Sequence, residues 1–562
     1  MRKWFVPLGL VALLGACTTS DDGKTGREPA DARAEPGGTL VIATAGDADY
    51  VFPSLTFTSV GRAVSDLVFD KLAEIGPELN TIGDKGFTPR LAQSWDWARD
   101  SLSVAFHLDP QARWHDGRPV RASDVKFSFD LTRDPAVGSP QAPLIANIDS
   151  ISVRDSVTAV AWYRRRTPEQ FYDLVYQVMI VPEHVYGAVP RAQLRTSDLV
   201  RKAVGSGRFR FVRWEPGVRL EIAADTANYR GRAKLDRVIW SISNDPGSAL
   251  AKVLSGNADF WEALAAEQLG RISADSSLRA QPYPGLQYGA MGMNLRDRGS
   301  DRPHPTFGDV RVRRALSMAV DRRAMLRNVF DTVGKISYGP FPRSLGVADT
   351  TIVLPPFDLA RANALLDSAG WRTGADGVRQ KDGRALEFGI LVPSSSKARM
   401  AYATLIQQQL RGIGARVNLE TVDFPTFMAR LGARTFDAAM LAISTDPSPS
   451  GAKQSWHSAS AVKGGNNNVS YKNPRFDALL DSAVASFDPA ATKAYARRAF
   501  QTLVDDAPAI WLYDLLTMAA VHRRVRMTGM RADGYWAGLA DWHIPASERI
   551  ARDRMGLAQA SP

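Results

Sequence analysis

"AYATLIQQQLRGIGARVNLETV", Ala401 to Val422, changes its hydrophobic period halfway along. Tyr402, Leu405, Ile406 and Leu410 recur three or four residues apart, as on one face of a helix. Val417 and Leu419 then alternate with Asn418 and Glu420, as in a half-buried strand. "FDAAMLAI", Phe436 to Ile443, follows as an apolar run of strand length. Helix, strand, helix, strand predicts an α/β layer, whose ligands collect in the loops beyond the strand ends.

The same alternation extends outward in both directions. Val312, Ala315, Leu316, Ala319 and Val320 form a helical stripe with Asp309 placed to cap it, and Asp358 opens a second helix that runs through Leu366 to a terminating Gly370. Folded sequence begins with the strand-like "TLVIATA" at Thr39. At 562 residues, 45% hydrophobic and 23% charged, the chain supports several globular domains. Its net charge of +11 arises from 70 basic and 59 acidic residues. The densest basic runs, Arg164 to Arg166 and Arg311 to Arg314, lack interleaved aromatics, which argues against a nucleic-acid partner.

Arg2 and Lys3 precede eleven apolar residues, Trp4 to Leu14, too few to span a bilayer, which needs about 20. "LGAC", Leu14 to Cys17, then resembles the bacterial lipobox. Residues 1–16 are therefore expected to be a cleaved signal peptide, and Cys17, the only cysteine, the lipidated anchor; cleavage removes Arg2 and Lys3 and takes the formal charge from +11 to +9. Residues 17–38 carry no large apolar side chain and read as a flexible tether with a reach of about 25 Å. This places the mature protein in the cell envelope, on the periplasmic or extracytoplasmic face, anchored to membrane through its N-terminal lipid.

"RWHDG", Arg113 to Gly117, sets a histidine beside a carboxylate, but neighbours in an extended segment point to opposite faces. Asp116-Gly117 reads instead as a turn before a helix starting near Asp124, with Ser123 as its cap. The seven histidines form no H-E-x-x-H pair, and neither a G-x-S-x-G elbow nor a phosphate loop is present. Ser394 to Lys397 and Ser460 to Lys463 fit S-x-x-K, but S-D-N is missing and the only K-T-G, at Lys24, lies in the tether. No catalytic residue, cofactor or metal ligand is assigned.

"PRLAQSWDWARDSLSVAFHLDPQARWHDGRPVRASDVKFSFD", Pro89 to Asp130, resembles the most characteristic block of the extracellular solute-binding proteins of family 5, the peptide and nickel type that serves ABC importers. "GSGRFRF", "NYRG", "AKVLSGNAD", "FGDVRVRRALSMAVDR" and "NPRFDALLDSA" follow in the family's order. The resemblance implies a two-lobed periplasmic-binding-protein-like fold of class II, the large three-domain type, with mixed β-sheets and an interlobe cleft. Its expected divisions are a discontinuous lobe I of residues 39–75, 190–293 and 518–555, an inserted domain II of 76–189, and lobe II of 294–517.

Function follows from the same resemblance: a monomeric, non-enzymatic receptor that captures an oligopeptide-like solute and delivers it to an ABC permease and ATPase. In peptide-binding members an aspartate in the loop after this strand pairs with the ligand's α-amino group, which points to Asp446 in "AISTDPSPSG". Tyr50, Phe57 and Trp456 are candidate pocket-lining aromatics, since flat rings give contact area at low entropic cost. Other solutes on the same scaffold, such as a metal chelate, glycan or opine-like molecule, are the alternatives. A lipid-anchored hydrolase or a chaperone-like surface protein is a more distant one.

Overall fold

The computed structural model describes residues 35–554 except 244, 331–332 and 463, so Cys17 lies outside the described residues. Among those described, no helix is long and apolar enough to cross a membrane. The chain folds into two lobes, with a smaller domain inserted in the first.

Lobe I is built on a seven-stranded mixed sheet. Thr39–Thr44 runs parallel to Arg237–Ile242 on one side and Phe260–Trp261 on the other. Arg219–Ala224 and Phe209–Glu215 extend one edge; Thr517–His522 and Leu278–Tyr283 extend the other. Leu40 and Ile42 pack against Phe52, Val64 and Trp240, while Val41 and Ala43 pack against Leu250 and Val253 on the opposite face. Both faces are covered, which is why this strand reads as an unbroken apolar run. The chain enters the fold earlier than the tether reading allowed: Gly37 N–H donates to Lys234 O at 2.7 Å and Gly38 N–H to Asp236 at 3.0 Å.

Both ends of this lobe are fastened by one buried guanidinium. Arg524 bonds Asp259 at 2.8 Å and Asp553 at 2.6 Å, and the same carboxylates accept the Val41 and Thr39 amides at 2.9 Å each. Segments from the beginning, middle and end of the chain are thereby held in one sheet.

The inserted domain is a four-stranded antiparallel sheet of Ala92–Trp97, Ser103–Leu108, Thr158–Tyr163 and Ile148–Asp155. The helix Ala122–Arg133 packs on it. This helix starts before the expected Ser123 cap, because the Asp124 carboxylate accepts the Arg121 amide at 2.8 Å and closes the first turn from within.

Lobe II carries a six-stranded sheet ordered Gly334–Lys335, Ala509–Leu515, Gln287–Met293, Ala438–Ser444, Glu387–Pro393 and Arg416–Val422. Gln287–Met293 was assigned to lobe I on sequence. It pairs instead with Ala438–Ser444 and Ala509–Leu515, so the first lobe's segment ends at Tyr283. The expected helices are present as Val310–Met318, Leu359–Ser368 and Lys397–Arg411, with Asp309 and Asp358 accepting first-turn amides and Gly370 at φ +87°.

Three of the short sequence blocks meet where the inserted domain joins lobe I. His115 Nε2–H donates to Gly207 O at 2.9 Å and its Nδ1 accepts the Gly205 amide at 3.2 Å. Asn228 donates to Ser206 O and Gly207 O at 2.9 Å each. Gly205 and Gly207 run so close to the end of the helix Ser59–Val68 that a Cβ would meet Val68 O at 1.9 Å and Leu67 O at 2.4 Å respectively. Beneath them Asp70, 1% exposed, accepts from Ser206 at 3.2 Å and Tyr229 at 3.0 Å and pairs with Arg230. Removing one partner of such a buried ion pair costs about 3–5 kcal/mol. Asp70→Ala is accordingly expected to lower the unfolding free energy of this unit by about that amount, measured by denaturant titration; a loss below about 1 kcal/mol would refute the assignment.

Candidate functional site

A cavity of about 420 Å³ lies where lobe I, the inserted domain and lobe II meet, within the ~300–1,000 Å³ range of small-solute sites. Lobe I contributes Pro53, Thr56, Asp66, Lys71 and Trp536; the inserted domain Leu144, Tyr176 and Met179; lobe II Asp446 and Pro447. Leu286, in the short link between the two large sheets, also lines it.

Asp446 sits in the wall, two residues beyond the strand Ala438–Ser444. Its carboxylate accepts the Ser448 amide at 3.0 Å, and the adjacent Thr445 amide donates to Leu286 O at 2.9 Å, fastening the loop to the link. Burial raises the Asp446 carboxyl above the ordinary range, partly offset by the Ser448 amide.

The aromatic candidates lie elsewhere. Trp456 is 1% exposed on the inward face of the helix Ser450–Trp456, tilted against Trp511 at 5.1 Å and donating to the Tyr288 hydroxyl at 3.0 Å, so it is a core residue. Phe57 is 55% exposed and Tyr50 packs on the lobe I core; neither lines the cavity. Their loop does reach it, through Pro53 and Thr56. Asp49 sets that outcome by accepting from the Thr56 and Thr58 hydroxyls at 2.6 and 2.9 Å and the Phe57 amide at 2.8 Å.

Sequence reasoning missed the lining residues Tyr176, Met179 and Trp536. Tyr176 and Met179 lie at the end of an apolar helical stripe that reads as core, and Trp536 follows "DGY" in a C-terminal turn whose position in space depends on topology alone. Trp536 Nε1–H donates to Asp66 at 2.7 Å, and Tyr176 to Asp533 at 3.1 Å.

Electrostatically the cavity has two unlike sides. On the lobe I side Lys71 pairs with Asp66 at 3.0 Å and lies 4.6 Å from the Tyr176 ring centroid; burial opposes its charge, but Asp66 and Glu74 keep its pKa above the usual value. On the lobe II side Asp446 lines the wall, and behind it, outside the cavity lining, lie Glu169 and Asp173 of the inserted domain. Glu169 accepts from Thr81 at 2.6 Å and, across the interlobe boundary, from Ser448 at 2.8 Å. Burial first, then Glu169 and Asp446, push the Asp173 carboxyl up to about 8, and burial raises Glu169 as well.

The residues that invited an enzymatic reading are engaged elsewhere. Both ring nitrogens of His115 are engaged with backbone, and the Ser460 hydroxyl donates to Lys453 O at 3.1 Å. Among the described residues no three His, Cys, Asp or Glu groups converge as a metal site.

The Asp173 shift has a definite pH consequence. A folded-state pKa near 8 against about 3.9 unfolded gives a stability contribution that is complete below about pH 4 and lost as pH rises through 8. Without ligand, wild-type Tm is expected to fall over that window and Asp173→Asn to fall less, so that the variant is the more stable at pH 8; thermal unfolding across pH checks this, and parallel curves would contradict it.

Comparison with known proteins places this architecture. Residues 86–465 match the bacterial extracellular solute-binding proteins, family 5. The oligopeptide-binding protein AppA of Bacillus subtilis is 25% identical over 511 residues, covering 90% of this chain and 91% of its own. The structure of AppA in complex with a nonapeptide aligns with TM-score 0.72 at 23% identity, over 91% of this chain and 100% of that one. NikZ from Campylobacter jejuni, in complex with Ni(L-His), aligns with TM-score 0.73 at 23% identity, over 90% of this chain and all of NikZ. With the two lobes, the inserted domain and the cavity between them, the chain belongs to the extracellular solute-binding proteins of family 5, substrate-binding proteins of ABC transporters.

Proposed function

We propose that this protein is the lipid-anchored receptor of an ABC importer, that it holds an oligopeptide-like solute in the interlobe cavity, and that it delivers the solute unaltered to a permease. The α-ammonium of the peptide is assigned to Asp446. The observation that carries this reading is the placement of Asp446: a partly desolvated carboxylate in the cavity wall with only backbone donors for partners, beside the link between lobes. A charge-assisted hydrogen bond there is shorter and stronger than one in water. The oligopeptide-binding relative supports the same class of solute.

Binding has to supply the free energy of closing the lobes, so a solute that touches only one lobe shifts nothing. A peptide held at Asp446 meets lobe I at Thr56 and Trp536 and the inserted domain at Tyr176, and so favours the closed arrangement. Hydrogen bonds to charged groups are worth about 1.5–3 kcal/mol. Asp446→Ala should therefore weaken free-amine peptides by about 10–100-fold and N-acetylated peptides much less, read by isothermal titration. Equal losses for both would remove the α-ammonium assignment, and a peptide library giving neither binding nor a thermal shift would remove the peptide reading.

Anchoring is assigned to Cys17, after cleavage of residues 1–16. Cys17→Ser is expected to abolish incorporation of labelled fatty acid and move the protein from the membrane to the soluble fraction; a variant that still takes up label would contradict it.

A further inference from the structure

Many buried carboxylates in this chain sit against arginine: Asp70 with Arg230, Glu74 with Arg90 and Arg531, Asp259 with Arg524, Asp437 with Arg298. Asp124 and Glu262 do not, but each is a single acid held by Trp114 and backbone amides or by Ser59. Glu169, Asp173 and Asp446 differ in lying together. Their neighbours are hydroxyls, backbone amides and one another, and no Lys, Arg or His contributes at any of the three. Glu169 and Asp173 stand four residues apart at the start of the helix Gln170–Gln177, a spacing at which like charges repel. They face Asp446 and Ser448 of the other lobe, with Ser448 bonded directly to Glu169.

A second observation points to a missing donor or cation rather than to a merely solvated acidic face. Tyr172, on the same helix and 2% exposed, has a buried hydroxyl with no hydrogen-bond partner, and it lies within the field of Asp446, Glu169 and Asp173. Its ring stacks at 4.7 Å on Tyr176, which lines the cavity. The three carboxyls do not converge as a metal site does. Separated acids beside an unpaired tyrosine hydroxyl and a stacked ring pair suit an organic cation, with its charged tip at the acids and its methylenes along the aromatic surface.

We propose that the cleft selects peptides whose amino-terminal end is doubly positive, with the α-ammonium at Asp446 and a lysine or arginine side chain from the first or second residue at Glu169 and Asp173. This rests on the assignment of the α-ammonium to Asp446. It makes the solute's second charge the counter-ion that two facing acidic surfaces lack.

The test is isothermal titration at pH 7.5 of Lys-Ala-Ala-Ala against norleucine-Ala-Ala-Ala, which keeps the chain length and removes the charge. Wild type is expected to prefer the lysine peptide by about 10-fold. The ratio should fall to about 2-fold or less in Asp173→Asn and in Glu169→Gln, each of which keeps the side chain's size. Two variants guard against one failing to fold, and the wild-type ratio is a test in itself. Equal wild-type affinities, or a preference that survives both substitutions, would overturn the proposal while leaving the α-ammonium reading intact. If neither peptide binds wild type, the parent reading falls and takes this one with it.

Discussion

Among the described residues the two lobes are joined by two strand-to-strand crossings, and the cavity lies against them. Residues 284–286 carry the chain from Leu278–Tyr283 of one sheet to Gln287–Met293 of the other, and Leu516 carries it back from Ala509–Leu515 to Thr517–His522. The crossings lie side by side: Tyr283 pairs with Thr517 before them and Tyr288 with Asp514 after them. Gly285 passes so near that a Cβ would lie 3.0 Å from the Thr517 hydroxyl. Two short adjacent links leave a pivot rather than a joint with many degrees of freedom. Leu286 belongs to this pivot and also to the cavity wall, and the Thr445 amide bonds to it, so Asp446 is a side chain at the axis itself. A group at the axis moves least when lobes separate.

That economy demands a rigid inserted domain, because the third wall of the cavity must arrive in the same place each time. The requirement explains the short sequence blocks better than catalysis would. "RWHDG", "GSGRFRF" and "NYRG" are far apart in the chain but meet at His115, Gly205, Gly207 and Asn228, above the buried Asp70. The histidine that invites an enzymatic reading has both nitrogens committed to the backbone of residues 205 and 207, and burial lowers its pKa, which suits a neutral ring acting as donor and acceptor at once. It is a structural clasp.

How much of this was legible in the sequence depended on how local the cause was. Asp309, Asp358 and Gly370 mark helix ends because caps act within one turn, and Thr39–Thr44 shows itself because a strand covered on both faces is apolar throughout. Ser123 misled because a carboxylate three residues into the helix closed its first turn from inside. Trp456 misled because a loop-like stretch of Ser and Pro precedes a helix whose phase turns the indole into the core. Around Asp49 the loop reaches the cavity through Pro53 and Thr56 and not through Tyr50 or Phe57, since the hydrogen bonds that decide which residues face the cavity leave no periodic trace. Asp446 was legible only through resemblance. Its acidic neighbours were legible by no means, because Ser448 and Glu169 are 279 residues apart and only the pivot brings them together.

The electrostatics of that meeting decide what kind of switch the molecule is. Contacts across the interlobe boundary favour closure: Ser448 donates to Glu169, and Arg166 lies 4.2 Å over the Phe487 ring. Each such contact is worth on the order of 1 kcal/mol. Against them stands the approach of Asp446 to Glu169 and Asp173, which lose water together with no basic residue to replace it. Asp173 relieves the conflict by holding a proton until the pH passes about 8; a cation beside it would relieve the conflict without that proton. A ligand shifts such an equilibrium only by binding one arrangement better than the other, and a neutral solute of the right shape gains contact area without removing the repulsion. A positively charged solute gains both. On the proposed reading, this charge imbalance is what would make closure conditional on a cationic solute, with Asp446 beside the interlobe link as its first contact.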